Sequence, residues 1–253
     1  SHVAGIAAAT GNNGIGIVGV NWNVRLMAIK TGYYLDTVIE GIQYATRMGA
    51  RISNNSWGLY QYSQALRDAI EAAGNAGQLF VASAGNDAND NDGQYQNYPS
   101  SFDLDNIVSV AASDDQDELT YFSNYGETSV DLAAPGENIY STLPRSSYGR
   151  LSGTSMAAPH VAGVAGLILA NRPEATFAVL KGMLLGGVDK QDAFDGLMVS
   201  GGRLNGARAL TSAGGAIAYF RCDDGGTNVE DMTVANDVLQ GWRHAGRLEA
   251  AAS

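Results

Sequence analysis

The stretch that most limits what this chain can become is Leu151-Ser152-Gly153-Thr154-Ser155-Met156-Ala157-Ala158-Pro159-His160-Val161-Ala162-Gly163. Ala157, Ala158, Ala162, Gly163 and Gly166 let neighbouring chain approach closely, so this segment is expected to be a buried helix beginning at about Ser155. Gly153 frees the backbone for the turn into it, and Thr154 or Ser155 can cap its first orphan amides. Pro159 lies too far in to be a first-position proline and removes an early helical hydrogen bond. A functional site tolerates such an irregularity. One serine hydroxyl is thereby set at the mouth of a packed helix.

Length and composition narrow the class. The 253 residues suffice for one large α/β domain with a proper core, or two small ones. A formal net charge of -11 argues against a nucleic-acid partner, whose phosphates would be repelled. The lone Cys222 excludes an internal disulfide framework and stands apart from the serine segment. No run approaches the roughly 20 apolar residues needed to span a bilayer, so no membrane partner is expected.

From Val24 the chain alternates strand and helix. Val24 to Lys30 is apolar-rich and expected to be a short strand; Asp36 to Met48 carries Val38, Ile39, Ile42 and Ala45 at helical spacing, with Asp36 as cap. Arg51 to Ser56 predicts a second strand, and Tyr62 to Ala76 a second helix with Leu66, Ala69, Ile70 and Ala73 on one face. Leu79 to Ala82 and Ile107 to Ala112 predict a third and a fourth strand. Helical crossovers of this length imply a parallel sheet covered on both faces. Ligands of such sheets lie beyond the carboxyl ends of the strands, so the chemistry belongs in the loops that follow them.

The 151–163 segment resembles the nucleophile motif of the subtilisin-like serine proteases, the subtilases, G-T-S-M-A-x-P-H-V-A-G, at every fixed position. The resemblance implies a three-layer fold with a central, mostly parallel sheet flanked by helices. It implies serine endopeptidase activity on polypeptide substrates through an acyl-enzyme at Ser155, the nucleophile of a Ser-His-Asp triad. Ala82-Ser83-Ala84-Gly85-Asn86 resembles the family's A-x-A-G-N motif, which makes the Asn86 carboxamide an oxyanion donor beside the Ser155 amide. Asn54-Asn55-Ser56-Trp57-Gly58 resembles the strand that pairs with an extended substrate, so Ser56, Trp57 and Gly58 would offer backbone groups. Ser83, Ala84 and Gly85 would form the facing wall, and Asn97 would sit near the pocket floor. After Lys30-Thr31-Gly32 the family usually inserts a longer segment, so the opposite half of the clamp is expected to be shortened.

Ser1-His2-Val3-Ala4-Gly5 resembles the tail of the family's histidine motif H-G-T-H-V-A-G, with His2 at the second histidine. The triad histidine and aspartate are thereby expected upstream of Ser1, and the fold is expected to be incomplete at its N-terminus. His2 as a substitute base stands against His2 and His160 as packed helix residues, the role the resemblance implies for both. Gly11 to Val20 is a glycine and asparagine loop that turn chemistry alone explains, or that binds a hard cation through oxygens. The resemblance implies a structural calcium there, held by the Asn13 side chain and the carbonyls of Gly11, Ile15 and Ile17. Asp87, Asp90 and Asp92 make a loop that is solvated, ligates calcium, or favours basic residues in the specificity pocket.

Phe122 to Gly126 and Leu132 to Gly136 resemble the family's structural sequence between oxyanion residue and nucleophile, and Arg203 to Leu210 its closing segment. Residues 1–212 are therefore expected to form a partial peptidase domain. Residues 213–253 are expected to be a glycine-rich linker and tail, with a weak helical pattern from Val229 to Ala252. The expected protein is secreted and monomeric. The competing expectation is a non-catalytic, subtilase-like module that binds extended peptides.

Overall fold

The structure is a computed structural model that describes residues 1–32 and 34–212. The linker and tail expected over 213–253 lie outside the described residues, as does Tyr33.

A sheet of six strands, ordered β1-β2-β3-β4-β8-β7, forms the middle layer. It is built from β1 (Ile52–Asn55), β2 (Leu79–Ser83), β3 (Ile107–Ser113), β4 (Leu132–Pro135), β7 (Asp189–Lys190) and β8 (Gly202–Arg203). β1 to β4 and the β4-β8 pair are parallel, and only β7 runs antiparallel to its neighbour β8. The expected mostly parallel sheet flanked by helices is therefore present. β2 and β3 are buried at every residue, which is why they read as unbroken apolar runs.

Alternation along these strands separates two cores. Leu79, Val81, Val108, Val110, Leu132 and Ala134 face one side, where they pack against α4 (Thr154–Asn171), α5 (Phe177–Gly186) and α6 (Gly206–Thr211). Phe80, Ala82 and Ile107 face the other, against α2 (Leu35–Arg47) and α3 (Gln64–Asn75). A period of two sends successive side chains to opposite faces, and both faces here are covered. Helix α4 is largely apolar and mostly buried, and it underlies the strands of the first core. The short helix α1 (His2–Ala8) crosses α4 where Gly163 has no side chain.

Three local expectations are corrected. Val24 to Lys30 is not a strand: it makes no backbone ladder among the described residues, and Val24, Leu26, Met27 and Ile29 are exposed. Apolar residues favour an extended chain, but a strand also needs a neighbour's N–H and C=O groups, and β1 is the edge of the sheet. Asp36 does not cap α2, whose N-cap is Tyr34; it lies inside the first turn and accepts from Thr37 N at 2.7 Å. Helix α4 starts at Thr154 with Gly153 as N-cap and no side-chain cap, so neither Thr154 nor Ser155 fills that role. An antiparallel hairpin, β5 (Ile139–Leu143) with β6 (Ser147–Leu151), leads directly into this helix.

Packing against α1 overrides helix propensity at Gly163. A Cβ there would lie 2.6 Å from Val20 Cβ and 3.2 Å from Ala7 O. Gly163→Ala is expected to lower stability by about 1–3 kcal/mol, although alanine is the better helix former. Gly186, whose Cβ would meet nothing within 4 Å, should instead gain about 0.4–1 kcal/mol on replacement by alanine. Urea unfolding of the two variants checks the pair, and a stabilised Gly163→Ala would contradict the packing.

Candidate functional site

The carboxyl ends of β1 and β2 lie side by side, in register at Asn55 and Ala82. The segments that leave them, 56–58 and 83–86, meet the N-terminus of α4, and the contact is made by hydrogen bonds on both sides. On the β1 side Ser56 Oγ donates to Ser155 O at 2.9 Å, and Ser155 Oγ donates to Ser56 O at 3.3 Å. On the β2 side Asn86 Oδ1 accepts from both Thr154 N at 2.8 Å and Thr154 Oγ1 at 3.0 Å. Thr154 Oγ1 in turn accepts from Gly85 N at 3.2 Å.

This arrangement settles the orientation of the Asn86 amide. Thr154 N can only donate, so the side-chain oxygen faces the helix end and the NH2 group is turned away from the Thr154 amide. The first amides of a helix have no partner within it, and Asn86 supplies one from outside. Gly153, at φ 150°, occupies a conformation that a side chain strains, and its Cβ would stand 3.4 Å from Asn86 Oδ1. Gly85 is under the same constraint, at φ 118°, with Asn124 Nδ2 only 2.3 Å from where a Cβ would be.

Ser83 and Ala84 are buried, and Gly85 has no side chain, so this wall presents mainly backbone. Trp57 packs on the α2/α3 core and fixes the opposite segment. Leu59 and Tyr98 exchange two backbone hydrogen bonds of 2.7 Å, which carries Asn97 under the gap. There the Asn97 carboxamide lies 2.3 Å from the Cβ position of Gly58 and 3.2 Å from that of Gly85. The structure thus brings Ser155, Asn86, 56–58, 83–85 and Asn97 together.

It does not bring the histidines there. His2 is buried with Nε2 3.2 Å from Gly149 O, and His160 Nδ1 donates to Met156 O at 2.9 Å. Burial pushes the His160 imidazole below the usual histidine range, partly offset by that carbonyl. Neither described histidine bonds to Ser155. The 11–17 loop also shares no hydrogen bond with the serine cluster among the described residues. Asn13 Oδ1 accepts from Ile15 N at 3.0 Å, closing an Asx turn. Asn13, Ile15, Gly11 and Ile17 offer oxygen donors without a carboxylate, of the type a hard cation takes but fewer than its usual six to eight.

One residue escaped the sequence reading as a site element. Asn124, fully buried, accepts from Asp87 N at 2.8 Å and Asn89 N at 3.1 Å and donates to Asn91 Oδ1 at 3.0 Å. Asn91 Nδ2 donates onward to Ala84 O at 2.9 Å. This network holds the loop on which Asn86 stands. An asparagine amid polar residues signals a turn; what marks this one is only its burial.

The Subtilase family model matches residues 1–201. Thermitase of Thermoactinomyces vulgaris is 43% identical over 176 residues, which are 66% of this chain and 60% of thermitase. Subtilisin DY of Bacillus licheniformis is 39% identical over 179 residues, 68% of this chain and 64% of that protein. The chain therefore spans under two thirds of these relatives. A solved structure of proteases from Pseudoalteromonas arctica PAMC 21717 superposes with a TM-score of 0.74 at 30% identity, covering 83% of this chain and 69% of that one.

Replacing Asn124 with leucine would strand two amide donors and an amide partner. It is expected to cost roughly 1–3 kcal/mol for each group left buried and unpaired. Thermal unfolding and hydrogen exchange of the Asp87 and Asn89 amides check this; unchanged protection at both would contradict the network.

Proposed function

Because the chain belongs to the subtilase family, we propose that it is a serine endopeptidase domain that cleaves polypeptides through an acyl-enzyme at Ser155. The observation that carries this reading is the Thr154–Asn86 junction, which turns the Asn86 side-chain oxygen to the helix end and leaves its NH2 group available as a donor. Ser155 Oγ attacks the scissile carbonyl, and the carbonyl oxygen becomes an anion between Asn86 Nδ2 and the Ser155 amide. The serine proton passes to a base and then to the departing amine, and water later releases the acyl group. The segment 56–58 pairs with the extended peptide, and 83–85 walls the pocket for the residue before the scissile bond.

The base and its carboxylate partner belong, in this reading, to sequence upstream of Ser1. Supporting this, the described histidines are both committed to backbone carbonyls away from Ser155. The same observation favours a second reading, a module that binds extended peptides without cleaving them. Residues 1–212 form the domain and 213–253 a linker and tail. The protein is secreted and monomeric in this account. No described helix is long and apolar enough to cross a membrane, which is compatible with secretion. Recovery from the culture medium and a sedimentation mass of one chain check these last points.

Calcium is proposed for the 11–17 loop, through the Asn13 side chain and the carbonyls of Gly11, Ile15 and Ile17, with further ligands from outside the described residues. When bound it would brace this exposed loop. Among the described residues no cluster of three or more His, Cys, Asp or Glu side chains is placed to hold a metal, so a carboxylate-rich alternative has no support.

Peptide hydrolysis by the full gene product tests both proposals. Asn86→Leu is expected to lower kcat by about 100- to 1,000-fold with little change in KM. Peptide binding with no hydrolysis in the unaltered protein would favour the second reading. Chelator should lower the unfolding temperature, and Asn13→Ala should abolish that difference. An unfolding temperature indifferent to calcium would remove the metal from the account.

A further inference from the structure

The described residues end at Ser212, which follows α6 and is tied to α5. Its hydroxyl is shared between Ala209 O at 3.1 Å and Met183 O at 3.4 Å, and its amide donates to Arg208 O at 2.8 Å. Beside that junction lies a cavity of about 290 Å3. Buried Leu185 and Val188, with half-buried Val199, give it an apolar floor; the first two belong to the core under α4, and Val199 packs against that core. Lys190 and Arg208, both exposed, stand at its rim. None of these residues belongs to the serine cluster.

The rim is positive. Lys190 Nζ donates to Ser200 O, and no described carboxylate pairs with it. Arg208 Nη1 meets Asp189 Oδ1 at 3.1 Å, but Asp189 also serves Arg203 Nη2 at 2.8 Å, so one carboxylate is divided between two guanidinium groups. An apolar cavity of about 150 Å3 already accepts a benzene-sized group. This one therefore has room for an aromatic ring, and its rim favours an acidic neighbour to that ring.

The sequence that continues from Ser212 has both properties. Ala213-Gly214-Gly215-Ala216 carries no bulk, Ile217-Ala218-Tyr219-Phe220 is apolar, and Asp223-Asp224 follows closely. Arg208 lies one helical turn, about 5.4 Å, before Ser212. The five residues from Ser212 to Ile217 reach as far as about 17 Å, so the apolar stretch arrives at the cavity without disturbing α6. Closing so short a loop costs little chain entropy.

We propose that residues 217–224 of this chain fold back onto this cavity, the Phe220 ring against Leu185, Val188 and Val199, and Asp223 and Asp224 facing Lys190 and Arg208. The stretch after α6 is then an extension of the first core rather than a free linker. The ring excludes water from the apolar floor. The paired charges fix the direction in which the segment crosses it. Cys222, the single cysteine of the chain, lies between the ring and the acidic pair and is covered with them. The proposal stands whether or not Ser155 is a nucleophile.

The test follows alkylation of Cys222 by iodoacetamide in the full gene product, read by peptide mass. Each rate is taken relative to the same variant unfolded in urea, which cancels the effect of nearby charge on the thiol. In the unaltered protein Cys222 is expected to react about 10-fold more slowly than in Phe220→Ser, the factor that burial of one aromatic ring supplies. Lys190→Glu should speed the reaction, and adding Asp223→Lys and Asp224→Lys to it should slow the reaction again, a rescue that damage to the fold would not give. Cys222 reacting as fast in the unaltered protein as in Phe220→Ser, an unchanged rate in Lys190→Glu, or a charge exchange that restores nothing would overturn the proposal. So would protection that appears only at high protein concentration with a sedimentation mass of two chains, which would place the segment on a neighbouring molecule.

Discussion

The site depends on one junction, the pair of hydrogen bonds from Thr154 to Asn86 Oδ1. The N-terminus of α4 carries amides that the helix cannot satisfy and a partial positive charge that comes with them. Elsewhere a serine, threonine or aspartate at the N-cap would deal with both. Here the cap is a glycine in a left-handed conformation, and the acceptor comes from the loop after β2. The helix end and the β2 loop are thus joined through the Asn86 carboxamide. A local cap would have satisfied the helix equally well and left Asn86 free to turn.

The junction is rigid because both partners are anchored in the cores. Helix α4 lies on the apolar face of the sheet through Val161, Val164, Ala165 and Ile168, and β2 is buried along its whole length. Asn124 and Asn91 tie the β2 loop from beneath, through four hydrogen bonds of 2.8–3.1 Å. Polar groups this deep are costly unless every one is paired, and these are paired to one another. The same network extends outward through Asn89 to the Tyr95 backbone.

Much of this was legible because it is local. The apolar runs at 79–82 and 107–112 and the helical spacing at 36–48 and 62–76 each matched an element to within two residues or so, since burial on two faces or one leaves that trace. The small-residue run at 157–166 marked a helix pressed against its neighbours, as Gly163 against Val20 bears out. Val24 to Lys30 misled because its composition speaks for an extended chain but cannot supply a partner strand. The cap of α4 was misjudged because two hydroxyl residues sit at its start, while the acceptor is 68 positions away in sequence. Asn124 was invisible as a site element for a related reason: no spacing rule joins it to residues more than 30 positions earlier.

What the described residues assemble is a serine at a helix mouth, a carboxamide bonded to the same helix end and two flanking segments, with both described histidines bonded elsewhere. The central proposal is that Ser155 is the nucleophile and takes its base from upstream sequence. A fluorophosphonate probe, which reacts only with an activated serine, tests it most directly when applied to this 253-residue chain and to the same chain extended through the upstream sequence. The account predicts stoichiometric labelling of Ser155 in the extended chain and none in the shorter one. Stoichiometric labelling of Ser155 in the 253-residue chain itself would contradict it.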